Sequence, residues 1–184
     1  MVTSLLERFA APRDAIGLEI TESVAMSDKG ATTDILTRLR LKGFTLAIDD
    51  FGMGYSSLEA LRRMPFSIVK VDKGFVADLL TSADSLTIVK SVIDLARNLG
   101  LATVAEGVES DDIAAQLVVL GVDALQGYAF SRALPFDRFV VWSREWQDRR
   151  GGFPYLARSG IREGDDTAQA GIMTGSTTES VAPR

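Results

Sequence analysis

The pattern of hydrophobic and polar positions divides the chain into two kinds of segment. Five short apolar segments that end in polar or charged residues indicate buried strands: GLEITE (17–22), FTLAIDD (44–50), SIVKVD (67–72), ATVAEGVE (102–109) and DALQGY (123–128). Other segments have apolar residues at helical spacing: ATTDILTRLRLK (31–42), SLEALRRM (57–64), DSLTIVKSVIDLARNL (84–99), SDDIAAQLVVL (110–120) and FDRFVVWSREW (136–146). This alternation is the βαβ pattern, and it predicts an α/β fold with a parallel sheet.

Side-chain alternation within the strands favours a closed barrel over an open, flavodoxin-like sheet. In FTLAIDD the bulky Leu46 and Ile48 share one side, and the smaller or polar Ala47 and Asp49 share the other. Bulky residues would face the helices and the others the barrel interior. We therefore predict a (β/α)8 TIM-barrel-like fold. A full barrel takes roughly 250 residues, so we expect an incomplete one whose first strands lie before Met1.

Composition narrows the chemistry that the chain can perform. The 184 residues include no cysteine and no histidine, which excludes disulfides, thiol nucleophiles, Cys/His zinc sites and histidine-based triads. The net charge of −5 gives no reason to expect a nucleic-acid polymer as partner. No apolar stretch approaches the ~18 residues of a membrane span, and no signal peptide is recognisable. We expect a cytoplasmic protein that does not contact a membrane.

Polar and charged groups lie in the carboxyl-terminal part of every predicted strand segment, and a parallel sheet brings the carboxyl ends of its strands to one face. They are Glu19, Glu22, Asp49, Asp50, Lys70, Asp72, Glu106, Glu109 and Gln126. Carboxylates on a common face suit Mg²⁺ or Mn²⁺, and two such ions ~3.5–4 Å apart can assist an in-line phosphodiester displacement. Each motif alone also fits a plainer interpretation. The DDFG segment could be a solvated turn, and Lys70 could be a lysine whose stem lies along apolar surface.

Five ordered motifs resemble the EAL domain, the cyclic-di-GMP phosphodiesterase family. They are LEITES (18–23), DDFGMGYSSL (49–58), VKVDKGFV (69–76), VAEGVES (104–110) and LQGYAFSRALP (125–135). The resemblance implies a modified TIM barrel that binds cyclic-di-GMP and linearises it to 5′-pGpG with two Mg²⁺ or Mn²⁺ ions. It also predicts a partial EAL domain over residues 1–146. Residues 147–184 are polar and glycine-rich, and we expect them to form a disordered tail.

The resemblance assigns roles to individual residues of the five motifs. It implies metal ligands at Glu19, Asp49, Asp50 and Glu106. It implies catalytic groups near the attacking water or the phosphate at Lys70, Glu106 and Gln126. It implies support of the metal-adjacent loop, or contact with substrate, at Glu22, Asp72 and Glu109.

Two family positions have no counterpart in this sequence. The EAL motif and a metal-binding asparagine belong to strands that would precede Met1, whereas the letters EALRR at 59–63 lie in a predicted helix. We therefore expect weak hydrolysis or none from this chain. The alternatives are a non-catalytic cyclic-di-GMP-binding or interaction module, a non-functional remnant, and an enolase-type barrel. A homodimer, or fusion to a sensory domain in a longer relative, is a further expectation.

Overall fold

A computed structural model of the chain describes residues 2–10, 13, 16–27, 29–52 and 57–149. The elements are α1 (Val2–Phe9), β1 (Gly17–Thr21), α2 (Glu22–Ser27), α3 (Lys29–Leu41), β2 (Thr45–Phe51), α4 (Ser57–Arg63), β3 (Ile68–Val71), α5 (Lys73–Ala77), α6 (Ala83–Asn98), β4 (Ala102–Ala105), α7 (Asp111–Leu120), β5 (Ala124–Leu125) and α8 (Phe136–Arg149).

The five strands of the described residues form one parallel sheet in the sequential order β1-β2-β3-β4-β5. Each strand therefore pairs with the next one along the chain, as in an α/β barrel, whereas a doubly wound sheet reverses its strand order at a switch point. The order confirms the predicted α/β class and favours the barrel-type interpretation over the flavodoxin-like one.

The two faces of the sheet differ as the alternation predicted. Leu46 and Ile48 of β2 belong to a large core that also contains residues of the helices, among them Leu36, Val92 and Leu117. The opposite face carries a small cluster of strand residues, Ala47, Ile68 and Val104, with Ala102 and Ala124 packed against it. The helices thus cover one face of the sheet, and small or medium side chains cover the other, as expected for the outside and the interior of a barrel.

Four of the five predicted strands extend too far at their carboxyl ends, whereas β2 runs one residue past its predicted end, to Phe51. Glu22 begins α2 rather than ending β1, and Asp72 caps the amino end of α5. The segment after β4 leaves the strand at Glu106, and β5 contains only Ala124 and Leu125. The short helices α2 and α5 begin at or directly after strand ends. The spacing of apolar residues did not predict these two helices or α1, because all three are short.

Helix α7 shows how the sequence sets its ends. The hydroxyl of Ser110 accepts a hydrogen bond from the Ile113 amide at 3.3 Å, which satisfies one amide of the first turn. At the other end, Gly121 adopts φ 84°, a left-handed conformation that glycine enters without a side-chain clash. Serine and glycine are the residue types that favour these two capping positions.

The carboxyl-terminal part of the fold is α8, which continues to Arg149, three residues past the predicted domain boundary. The remainder of the predicted tail lies outside the described residues, so its disorder stays a prediction. None of the described helices combines the length and the apolar composition that crossing a membrane requires.

A side-chain clamp fixes the short β5 against β4. One carboxylate oxygen of Asp123 accepts hydrogen bonds from the amide of Thr103 at 2.7 Å and from its hydroxyl at 2.8 Å. The Asp123 amide in turn donates to the Thr103 hydroxyl oxygen at 3.1 Å. Since Thr103 is buried, its polar groups depend on this partner.

We expect Asp123→Ala to lower the free energy of unfolding by about 1–3 kcal/mol, because it leaves the buried Thr103 amide and hydroxyl without their acceptor. Urea unfolding at neutral pH measures the change. Asp34→Ala, at an exposed position of α3, is the matched control and should change stability by less than about 0.5 kcal/mol. Equal stability of the two variants would contradict the clamp.

Candidate metal site at the strand ends

The carboxyl ends of the five strands meet on one side of the sheet, because all strands are parallel. Glu19 lies on β1, Asp49 and Asp50 on β2 and Lys70 on β3, while Glu106 and Gln126 directly follow β4 and β5.

Lys70 is the centre of this group. Its ammonium nitrogen Nζ lies 2.6 Å from Glu19 Oε2, 3.2 Å from Asp49 Oδ1 and 2.6 Å from Glu106 Oε1. The lysine side chain is only 4% exposed, so these carboxylates replace the water that an ammonium group normally binds. One buried cation thus joins β1, β2, β3 and the end of β4.

The protonation state of Lys70 follows from its neighbours. Burial by itself lowers the pKa of the lysine, but the hydrogen bonds and negative charges of Glu106 and Glu19 outweigh burial and raise the pKa. Lys70 is therefore a cation at neutral pH. This arrangement suits charge stabilisation, and it does not suit a general base, which would need a lowered pKa.

A bulge in β2 brings both aspartates to this side of the sheet. Ile48 is aligned with Val69 of β3 and Phe51 with Val71, so two residues of β2 face the single Lys70. Ile48 and Phe51 both lie in the helix-facing core although they are three positions apart. Strict alternation would instead turn Asp50 toward the helices.

Asp50 is the residue that accommodates the bulge. Its φ is 54°, in the left-handed region that aspartate enters more readily than most residues but still at a cost. Its amide donates a hydrogen bond to Asp49 Oδ1 at 3.1 Å, which stabilises the turn between the two neighbours. Strand alternation correctly predicts an inward Asp49, but it does not predict the bulge. The available signal for the bulge was the apolar pair Ile48 and Phe51 on either side of the two aspartates.

Three of the carboxylates form a compact cluster of oxygen donors. One oxygen each from Asp49, Asp50 and Glu106 lies within 4.8 Å of the others. Burial raises the pKa of Asp50, and the charges of Asp49 and Asp72 raise it further. Burial also raises the pKa of Glu106, although Lys70 partly offsets this effect. Carboxylates that repel one another in a partly desolvated position fit a divalent, oxygen-preferring cation.

The other predicted site residues occupy the surroundings of this cluster. Glu22 is buried at the first position of α2. Asp72 lies near Asp50, and its Oδ1 accepts a hydrogen bond from the Gly74 amide at 2.7 Å. Gln126 is half-buried beyond β5, and Glu109 is exposed just before α7. The loop 53–56, which Glu22 and Glu109 were expected to support, lies outside the described residues, and the individual roles stay predictions.

Comparison with known proteins gives a family match that covers most of the described fold. The sequence matches the model of the EAL domain over residues 1–133. It is also 42% identical over 139 residues to the cyclic di-GMP phosphodiesterase RocR of Pseudomonas aeruginosa. That alignment covers 76% of this chain and 36% of RocR, so the chain spans about a third of that relative.

Solved structures give the same result for the fold. The EAL domain of Mycobacterium smegmatis DcpA superposes with a TM-score of 0.73 at 39% identity, covering 78% of this chain and 65% of that one. Klebsiella pneumoniae BlrP1, solved at pH 9.0 as a manganese and cyclic-di-GMP complex, gives a TM-score of 0.65 at 36% identity. That superposition covers 71% of this chain and 34% of the BlrP1 chain. The predicted fold class is thereby confirmed.

We expect Lys70→Met to lower the free energy of unfolding by about 3 kcal/mol, because Glu19, Asp49 and Glu106 lose the cation that they share. Urea unfolding in the presence of EDTA isolates this effect from divalent cations. Lys90→Met, at an exposed position of α6, is the matched control. If the two variants unfold at the same urea concentration, Lys70 does not stabilise the strand ends.

We expect Asp50→Ala to be less stable than Asp50→Gly by about 1 kcal/mol, because alanine pays for the left-handed backbone and glycine does not. Both variants lack the carboxylate, so their difference reports the backbone conformation alone. Thermal and urea unfolding measure it. Equal stability would mean that the bulge rearranges when the carboxylate is removed.

Proposed function

This chain belongs to the EAL domain family, and we propose from that premise that its strand-end site binds cyclic-di-GMP through divalent cations. The supporting observation is the convergence of Asp49, Asp50 and Glu106 around one point beside the Lys70 ammonium group. RocR is named as a cyclic-di-GMP phosphodiesterase, and BlrP1 holds manganese and cyclic-di-GMP together.

The donor set determines the class of cation. Every candidate ligand is a carboxylate, and the chain contains no histidine or cysteine, so Mg²⁺ and Mn²⁺ fit better than softer metals. We propose Asp49, Asp50, Glu106 and Glu19 as the ligands. When bound, such ions lower the pKa of water and offset charge on phosphoryl oxygens.

The proposed reaction is hydrolysis of one phosphodiester bond of cyclic-di-GMP. A water oxygen forms a new bond to phosphorus, the bond from phosphorus to the ribose 3′ oxygen breaks, and that oxygen takes up a proton. The product is linear 5′-pGpG. In this chain Lys70 would hold Glu19, Asp49 and Glu106 in position and place a positive charge beside the phosphate.

Gln126 and Asp72 would act next to these groups. The backbone of Gln126 is fixed on both sides, since its amide donates to Ala105 at 2.8 Å and its carbonyl accepts from Val108 at 3.0 Å. We propose that its side-chain amide contacts the water or the phosphate. Asp72 would orient Asp50 across the space between β2 and α5.

Binding without turnover is the second candidate function. The letters EALRR fall in α4, as predicted, and Leu61 packs into the helix-facing core, so this segment does not supply a strand-end glutamate. The family's EAL glutamate and its asparagine ligand are then missing from the groups described above. A receptor or interaction module that binds cyclic-di-GMP needs fewer ligands than a two-metal catalyst. A dimer and a fused sensory domain are compatible with both functions, as is a cytoplasmic location.

We expect this chain to bind cyclic-di-GMP in the presence of Mn²⁺ and to convert it to pGpG weakly or not at all. Calorimetric titration measures binding, and chromatography of the nucleotides measures conversion. Asp49→Ala should abolish metal-dependent binding, whereas Asp34→Ala on α3 should leave it unchanged.

Two results would contradict these expectations in different ways. Failure of the unaltered chain to bind the nucleotide with Mn²⁺ present would overturn the proposed function. Turnover at the rates typical of enzymes, about 1–10³ s⁻¹, would overturn the expectation of weak hydrolysis and show that the four proposed carboxylate ligands suffice.

A further inference from the structure

The end of β4 departs from regular pairing in the same way as the end of β2. The Gln126 amide donates a hydrogen bond to the Ala105 carbonyl. In a regular parallel ladder the Gln126 carbonyl would then accept a hydrogen bond from the Gly107 amide. Instead the carbonyl accepts from Val108 at 3.0 Å. Ala105 and Val108 are three positions apart, yet both are fully buried in the helix-facing core. One extra residue is therefore inserted between them.

Gly107 occupies the position that Asp50 occupies in β2. Its φ is 67°, compared with 54° for Asp50, so each insertion ends with a left-handed residue. In β2 the sequence around the insertion is Ile48–Asp49–Asp50–Phe51, and in β4 it is 105–108, AEGV. In both strands an acidic side chain turns toward Lys70, and the next apolar residue returns to the core.

Two neighbouring segments hold Gly107 and Val108 in place. A Cβ atom at Gly107 would lie 2.6 Å from Lys73 Cβ and 3.4 Å from Lys73 Cα, at the first residue of α5. On the other side, a Cβ atom at Gly127 would overlap the backbone of Val108, and the Ala129 amide donates to the Val108 carbonyl at 2.9 Å. The loop that follows Glu106 thus fits between α5 and the segment after β5.

We propose that Gly107 is a positioning residue for the Glu106 carboxylate. Alternation already turns Glu106 to the same face as Val104. The left-handed backbone of Gly107 and its close approach to Lys73 fix the chain directly after Glu106, and this holds the Glu106 carboxylate beside Lys70 and the aspartates. This role rests on the proposed function, because it concerns the affinity of the same cluster for a divalent cation. A side chain at 107 would clash with Lys73 and move the backbone of the neighbouring Glu106, whose carboxylate is a proposed metal ligand.

Gly100 provides a control with nearly the same backbone. Its φ is 71°, and a Cβ atom there meets nothing within 4 Å. Gly100 lies between α6 and β4, at the end of the sheet opposite the carboxylates. Gly100→Ala therefore strains the left-handed backbone without a clash and without displacing Glu106. Gly107→Ala strains the backbone in the same way, and it also clashes with Lys73 and displaces Glu106.

The experiment is a Mn²⁺ titration of the full chain, followed by electron paramagnetic resonance of the free ion, with unfolding midpoints recorded for each variant. We expect Gly107→Ala to weaken Mn²⁺ binding by about tenfold or more and Gly100→Ala to leave the affinity unchanged, even though both lower the unfolding midpoint. Lys73→Gly alone should bind Mn²⁺ as the unaltered chain does. Combined with Gly107→Ala it should restore most of the lost affinity, because it removes the closest clash.

The outcomes separate the two proposals. If the unaltered chain binds Mn²⁺ and Gly107→Ala binds it equally well, the positioning role is wrong and the proposed function stands. If the unaltered chain binds no Mn²⁺, the metal-dependent function is wrong, and the positioning role falls with it. If the double variant binds Mn²⁺ as weakly as Gly107→Ala does, the clash with Lys73 is not the cause of the lost affinity. If Gly107→Ala does not fold, Gly107→Asn replaces it, because asparagine enters the left-handed region more readily than alanine but still places a Cβ atom against Lys73; unchanged Mn²⁺ affinity in that variant would equally show that the positioning role is wrong.

Discussion

A buried ammonium group needs acceptors for its protons and negative charge nearby, and in this protein three carboxylates meet that need. Lys70 contacts Glu19, Asp49 and Glu106, which come from segments up to 87 positions apart (106 − 19) in the sequence. Replacing water by these carboxylates is favourable only if all of them stay in place. The ion cluster therefore fixes the relative positions of β1, β2, β3 and the end of β4 at the face where the proposed chemistry occurs.

Regular strands could not bring this much negative charge to one point. Alternation allows one inward residue in two, so Asp50 would face the helices and Val108 the interior if β2 and β4 continued regularly. Each strand instead inserts one residue with a left-handed backbone, Asp50 in one case and Gly107 in the other. The conformational cost of these irregularities is located at the site, where unusual backbone geometry most often has a functional reason.

The sequence sufficed for the features that depend on local pattern. The strand cores, the sequential α/β order, the inward side chain of Asp49 and the caps of α7 were all predictable from periodicity and capping residues. The strand ends were not, because Glu22 and Asp72 belong to short helices whose start depends on tertiary contacts. The insertions at Asp50 and Gly107 were not predictable either, since a bulge is defined by the register between two strands. The motif resemblance supplied the candidate residues of the site, and only the structure gave their arrangement.

Charge balance explains why one lysine and several carboxylates can serve the same site. When ionised, Glu19, Asp49, Asp50 and Glu106 carry four negative charges, and Lys70 neutralises one of them. The site on its own would therefore repel a phosphodiester, which is also an anion. Each carboxylate has two oxygens, so an oxygen bound to Lys70 leaves the other free for a cation. If two divalent ions bound there, the site would have a net charge of plus one. Lys70 would then not compete with the proposed metals: it would hold the ligands together, while the metals would reverse the sign of the field that an anionic substrate meets.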